Sequence, residues 1–233
     1  MTERSARVAI LGLGGGGARI LKHFSAREES ANTELAVADT DVRTFADLTG
    51  MVELPLGTDW KNCQNGCGGD VGVGERTASA SAEDLKSFIE GWELLIVVAG
   101  LGGGTASGAV QTVARLARDA KVPTFFVTTL PFVFEGHWRR KQADGVLSKL
   151  RELCNTVIVV PNDMLFTSLA ADTPADEAFA LADDLLAAAL GGLAGMAHAD
   201  WMLTADFAAI RALLKEQPAT SSLGIGSGNG DDR

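Results

Sequence analysis

Two glycine clusters carry the strongest chemical signal in the sequence. The first, Gly12-Leu-Gly-Gly-Gly-Gly17, follows the aliphatic run Val8-Ala-Ile-Leu11 and precedes an amphipathic stretch. Bare backbone N–H groups at a helix N-terminus can approach an anion closely, so a turn of this kind is a phosphate cradle. Four adjacent glycines also cost backbone entropy that packing alone would not require. Taken alone, the cluster satisfies G-x-G-x-x-G through Gly12, Gly14 and Gly17, with Asp39 at the end of the next strand placed to hold a ribose hydroxyl. An NAD-binding site is therefore one reading. The second cluster, Gly100-Leu-Gly102-Gly103-Gly104-Thr105-Ala106-Ser107-Gly108, follows the run Leu94 to Ala99 and opens another helix, adding the Thr105 and Ser107 hydroxyls to the amides. Two cradles facing one cleft imply a ligand gripped by its phosphates from both sides. The absence of G-x-x-x-x-G-K-[ST] disfavours a P-loop NTPase.

A base site can be read from the same residues upward. Phe179 and Asp183 stand at i and i+4 of a long helical stretch and share one face. An aromatic ring can stack on a purine while a carboxylate accepts hydrogens from N1 and the amino group of guanine, leaving adenine with an unpaired polar edge. Asn162 could supply a complementary amide.

Positioning these groups requires a layered frame. Short aliphatic runs at 7–11, 34–38, 94–99, 124–129 and 156–160 alternate with helical patterns at 18–29, 41–48, 82–91, 106–120, 136–153, 176–197 and 205–216. That alternation predicts a doubly wound α/β fold, a mostly parallel sheet with helices on both faces and a long central helix. In a 3-2-1-4 strand order, strands one and four flank the switch point, and both glycine loops converge there. The stretch 55–80, rich in Gly and without apolar period, reads as a long functional or disordered loop.

Composition narrows the function classes. The 233 residues carry 20 basic against 30 acidic side chains, a formal charge of -10, which argues against a nucleic-acid partner. Leu185 to Ala197 is uncharged but below membrane-spanning length, so no direct membrane insertion is expected and a cytoplasmic setting is. Cys63, Cys67 and Cys154 fit a reducing compartment, and no metal site is expected from a single C-x3-C. His23, His137 and His198 show no ligand spacing, and the four tryptophans form no stripe for single strands.

The glycine loops resemble the tubulin and FtsZ superfamily, whose signature G-G-G-T-G-[ST]-G stands here as GGGTASG with Ala106 for one glycine. The likeness runs on through Asp39-Thr-Asp41, Pro131-Phe-Val-Phe-Glu-Gly136 with Arg139 behind it, and Pro161-Asn-Asp163. It is closer to bacterial FtsZ and covers most of residues 7 to 233. The resemblance implies a Rossmann-like GTPase domain of cytoskeletal, cell-division type, holding GTP or GDP, with Mg²⁺ as an optional companion. It places Gly14, Gly15, Gly16 and residues 102–108 (Gly102, Gly103, Gly104, Thr105, Ala106, Ser107, Gly108) at the phosphates, and Thr129, Glu135 and Arg139 near sugar and phosphates. Self-association or a related FtsZ-type filament protein is the implied partner.

Departures from the family pattern carry expectations of their own. Arg19 stands where the family has an Asn that touches the base, so base recognition loses one partner or gains a cation. Asp70 stands in the third loop where the family offers a glycine, and its charge would repel a γ-phosphate. The loop that enters the neighbouring subunit's site keeps Asp206 but has Ala209 for the second acid, so hydrolysis is expected to be slow or absent in isolation. Residues 1–200 are expected to form the nucleotide-binding domain, and 201–233 the inter-subunit loop, a helix and the truncated start of a second domain. Two rival readings stand beside this one: an NAD-dependent oxidoreductase, and a nucleotide-independent partner-binding module that keeps the fold.

Overall fold

A computed structural model describes residues 6–57, 66–154, 156–164, 173–197 and 219–221. Seven parallel strands form one sheet: β1 (Val8–Leu13), β2 (Thr33–Asp39), β3 (Val52–Pro55), β4 (Leu94–Gly100), β5 (Thr124–Leu130), β6 (Thr156–Pro161) and β7 (Ala219–Ser221). Their order is β3-β2-β1-β4-β5-β6-β7, so the direction of winding reverses between β1 and β4. Val8 pairs with Thr33 on one side and Leu94 on the other. Parallel strands need crossovers, and these are α1 (Gly14–Ser25), α2 (Val71–Ala80), α3 (Ala82–Ile89), α4 (Gly104–Asp119), α5 (His137–Leu153) and α6 (Ala175–Gly195).

Because helices cover both faces, the central strands β1 and β4 are apolar and buried almost throughout rather than at alternate positions. Successive side chains then feed two cores. Leu11 and Val97 point to the face that carries Val110 of α4 and Leu147 of α5. Ile10 and Ile96 point to the opposite face, against Leu21 and Phe24 of α1 and Leu186 and Leu190 of α6. Each fully buried leucine of this kind contributes about 1.5 to 3 kcal/mol of transfer free energy. By length and composition alone α6 could cross a membrane, yet 61% of its apolar window is buried in the domain, as befits a core helix.

The structure differs from the sequence reading at several points. The first helix starts at Gly14, so four glycines of the first cluster form its opening turn rather than a loop before it. Residues 41–48 hold only a 3-10 turn, Val42–Phe45, capped by the Asp41 carboxylate accepting from the Arg43 amide. Strand β3 lies in a stretch given no element.

The largest correction falls on 55–80, where α2 occupies Val71–Ala80. Its sequence shows little apolar period because, besides Val71 and Ala78, it packs through glycine backbone. A Cβ on Gly74 would sit 2.3 Å from the Gly104 oxygen, and one on Gly108 would sit 2.3 Å from the Glu75 nitrogen. Only glycines allow α2 and α4 to cross so closely. Asp70 caps α2, its Oδ1 accepting from the Val73 N–H at 3.0 Å. At the far edge, β7 falls within the 201–233 stretch and extends the same sheet beside β6.

Candidate functional site

The carboxyl ends of β1, β4, β5 and β6 surround a cleft at the switch point, where ligands of doubly wound sheets bind. It encloses about 710 Å³, counting space open to solvent. Gly16 and Gly103 form the glycine-loop side, Thr129, Glu135 and Arg139 one flank, and Arg19, Asn162, Phe179 and Asp183 the other. These nine of the sequence-derived site residues come together around one cleft.

The glycine side is built from backbone. The N-caps of α1 and α4, Leu13 and Gly103, make no side-chain capping bond, and neither first turn contains an acid. The orphan N–H groups and positive ends of the two helices are therefore neither capped nor neutralised by an acid of their own first turns. Gly15 and Gly103 face open space, where even a Cβ would meet nothing within 4 Å. Gly14 adopts φ +68°, and a Cβ there would lie 3.2 Å from the Ala106 nitrogen, so the two loops touch.

The other residues expected at the phosphates hold the loops rather than line the cleft. Ser107 is fully buried, and its Oγ accepts from the Gly102 N–H at 2.9 Å. Thr105 Oγ1 lies 2.6 Å from Thr40 Oγ1, linking the second loop to the end of β2. Gly104 abuts Cys67 and Asp70 of the third loop, and Gly108 is sealed under α2. Asp39, expected at a ribose, is buried and turned into its own loop: it accepts from the Thr40 and Asp41 N–H groups and from Thr44 Oγ1. Burial pushes its carboxyl above the ordinary carboxylate value, against hydrogen bonds from Thr44, Asp41, Thr40 and Thr105 that pull it down. The acid that the NAD reading requires thus lies outside the cleft wall.

Side chains build the opposite wall. Phe179 is held edge-on by Phe132, 5.2 Å away at 84°, and by Phe134, 5.9 Å away at 87°. Asp183 is 4% exposed, and its Oδ2 accepts from Arg19 Nε at 2.9 Å. The Arg19 guanidinium also lies over the Phe179 ring, 5.1 Å from its centroid. Asn162 is 7% exposed, and its buried Oδ1 has no partner among the described residues. A buried acceptor without a donor costs about 1 to 3 kcal/mol, which a ligand N–H or O–H would relieve. Glu135 accepts from the Phe132 N–H and from Arg139 Nη1, at 2.9 and 2.8 Å.

The family model of the Tubulin/FtsZ family, GTPase domain, matches residues 7–170. The chain belongs to this family. "Cell division protein FtsZ 1" of Halobacterium salinarum is 32% identical over 231 residues, 99% of this chain and 57% of that protein. "Cell division protein FtsZ" of Pseudomonas aeruginosa is 31% identical over 230 residues, 99% of this chain and 58% of that one. The chain thus spans a little under three fifths of these relatives. The FtsZ dimer from M. jannaschii superposes with a TM-score of 0.84 at 29% identity, over 91% of this chain and 62% of that chain. The CetZ2 protofilament of Haloferax volcanii, with GTPγS bound, shares the fold at a TM-score of 0.73 and 23% identity, over 84% of this chain and 60% of that one.

Two supports of this FtsZ-like site had escaped the sequence reading. Gln142 of α5 donates through Nε2 to the carbonyls of Gly69 and Gly102, each at 3.0 Å, and so ties the third glycine loop to the second. Phe132 backs the Phe179 ring. A polar side chain in the second turn of a helix gives no sequence signal for such a role, whereas Phe132 sits inside the P-F-x-F-E-G segment and could have been inferred from it. Asp206 and Ala209 lie outside the described residues. Cys154 carries no chemistry here: burial pushes its thiol up to about 12, and Sγ donates to the Leu150 carbonyl at 2.9 Å.

Proposed function

We propose that the cleft binds GTP or GDP and that the chain is the nucleotide-binding part of a cytoplasmic, self-associating protein of cell-division type, with slow GTP hydrolysis on its own. The observation that carries this reading is the pairing of two acid-free, uncapped helix N-termini with a facing wall that offers an orphan amide oxygen, a buried carboxylate and an aromatic ring. The amides opening α1 and α4 take the phosphates, and Arg139 adds a cation. Glu135, already an acceptor, suits sugar hydroxyls rather than phosphate oxygens. Phe179 stacks on the purine, Asp183 accepts from N1–H and the 2-amino group, and Asn162 completes the polar edge. Adenine presents no such pair of donors and leaves Asp183 unpaired. Mg²⁺ arriving with the nucleotide would neutralise phosphate charge. The dimer formed by the M. jannaschii FtsZ neighbour supports self-association.

Hydrolysis rests on the loop that faces a neighbouring subunit in the family, where this sequence has Asp206 and Ala209. One acid can still polarise water, but acid–base assistance is typically worth about 10² to 10⁴ in rate, and half of the pair is absent. The test is phosphate release against protein concentration for the chain, for Ala209→Asp, and for the chain with a full-length FtsZ-type partner. Slow release by the chain alone, raised by Ala209→Asp or by the partner, is expected. Brisk, concentration-dependent release by the unmodified chain would contradict the slow-GTPase reading.

A further inference from the structure

Arg19 stands on the base side of the cleft in an arrangement that resembles a ligand. Its planar guanidinium lies over the Phe179 ring and its Nε–H donates to Asp183. Those are the two contacts assigned above to guanine, whose N1–C2–N2 edge is itself a guanidine unit. We propose that Arg19 occupies the base subsite as an internal surrogate for guanine, so that a nucleotide must displace it; this rests on the guanine-binding reading of the cleft.

The burial of the two partners explains why the exchange works in this direction. The Asp183 side chain is 6% exposed and cannot turn to water, so it requires a partner in both states: Arg19 without nucleotide, the base with it. The Arg19 side chain is 53% exposed, so the guanidinium has water to return to when it leaves. The phosphate end of the cleft is built from the backbone amides that open α1 and α4, which stay in place when the Arg19 side chain swings away. Arg19 therefore discounts affinity for the base and leaves affinity for phosphate alone, in the way that any population of a closed site divides the apparent binding constant. A half-exposed ion pair together with a cation over a ring sets the discount at roughly tenfold.

Calorimetric titration of the wild-type chain, Arg19→Ala and Arg19→Lys with GDP, ADP and inorganic pyrophosphate tests this. Arg19→Ala should bind GDP about tenfold more tightly than wild type, with no gain for pyrophosphate. Arg19→Lys keeps a cation for Asp183 but has no plane to lay on Phe179, and should fall between the two. Thermal melting monitors folding, and Arg19→Lys carries the comparison if the alanine variant is unstable. Unchanged or weaker GDP binding in both variants, with the preference for GDP over ADP retained, overturns the role of Arg19 alone. An equal gain for GDP and pyrophosphate also overturns it, because the effect would then be a general opening of the cleft. If no variant distinguishes GDP from ADP, the guanine reading falls and this proposal falls with it.

Discussion

The two halves of the cleft are made of different material. On the glycine side, the surfaces turned toward the cleft are backbone, and the nearby side chains face away: Ser107 holds the Gly102 amide, Thr105 meets Thr40, and Asp39 serves its own turn. On the opposite side the surfaces are side chains, and their state depends on which neighbour they hold, as Arg19 on Asp183 shows. Backbone cradles are fixed by the fold, whereas the side-chain wall can be retuned by one substitution without disturbing the sheet. Specificity should therefore be separable from phosphate binding and from stability.

The largest effect should come from breaking the frame of the glycine side. Gly108→Ala places a Cβ 2.3 Å from the Glu75 nitrogen, against backbone that cannot rotate away. Overpacking of this kind costs about 3 kcal/mol, more than the alanine gains in helix propensity, and chemical denaturation should show it as a lowered midpoint. A smaller and more selective effect belongs to the other wall. Asp183→Ala should cut the preference for GDP over ADP by roughly 1 to 3 kcal/mol while leaving pyrophosphate affinity close to wild type, read by parallel titrations.

The smallest effect concerns Asp39, which separates the two halves of the comparison from the NAD reading. Its carboxyl is raised in the folded chain, chiefly by burial, so the folded state holds the proton more tightly than the unfolded state. Its contribution to stability is then most favourable below the unfolded value and is lost as pH rises through the folded one, the reverse of a salt-bridged aspartate. Asp39→Asn should flatten that part of the stability-versus-pH curve while GDP affinity stays within about threefold, as expected for a side chain outside the cleft wall. A large loss of nucleotide affinity would return Asp39 to the ligand.

What the sequence made legible follows the same division. The strand order around β1 and β4 and the convergence of both glycine loops could be read because bare backbone before a helix has few other uses. The i, i+4 relation of Phe179 and Asp183 could be read because helical periodicity fixes it. Helix α2 escaped because its contact surface is largely glycine, which leaves little apolar period to detect. The inward turn of Asp39 and Ser107 escaped because residue type announces a donor or acceptor but not the partner it finds. The placement of Arg19 was half legible: a cation in place of an amide was visible, but its position over Phe179 required the packing of α1 against α6.

The central claim is that the side-chain wall selects guanine while the backbone cradles hold phosphate. Competitive titration of the unmodified chain with GDP, ADP and NAD at one salt concentration tests it most directly. GDP should bind at least about tenfold more tightly than ADP, the gap of roughly 1.4 kcal/mol or more expected when one buried carboxylate is left unpaired, with NAD weaker still. Equal affinity for GDP and ADP, or tight binding of NAD, would contradict the account.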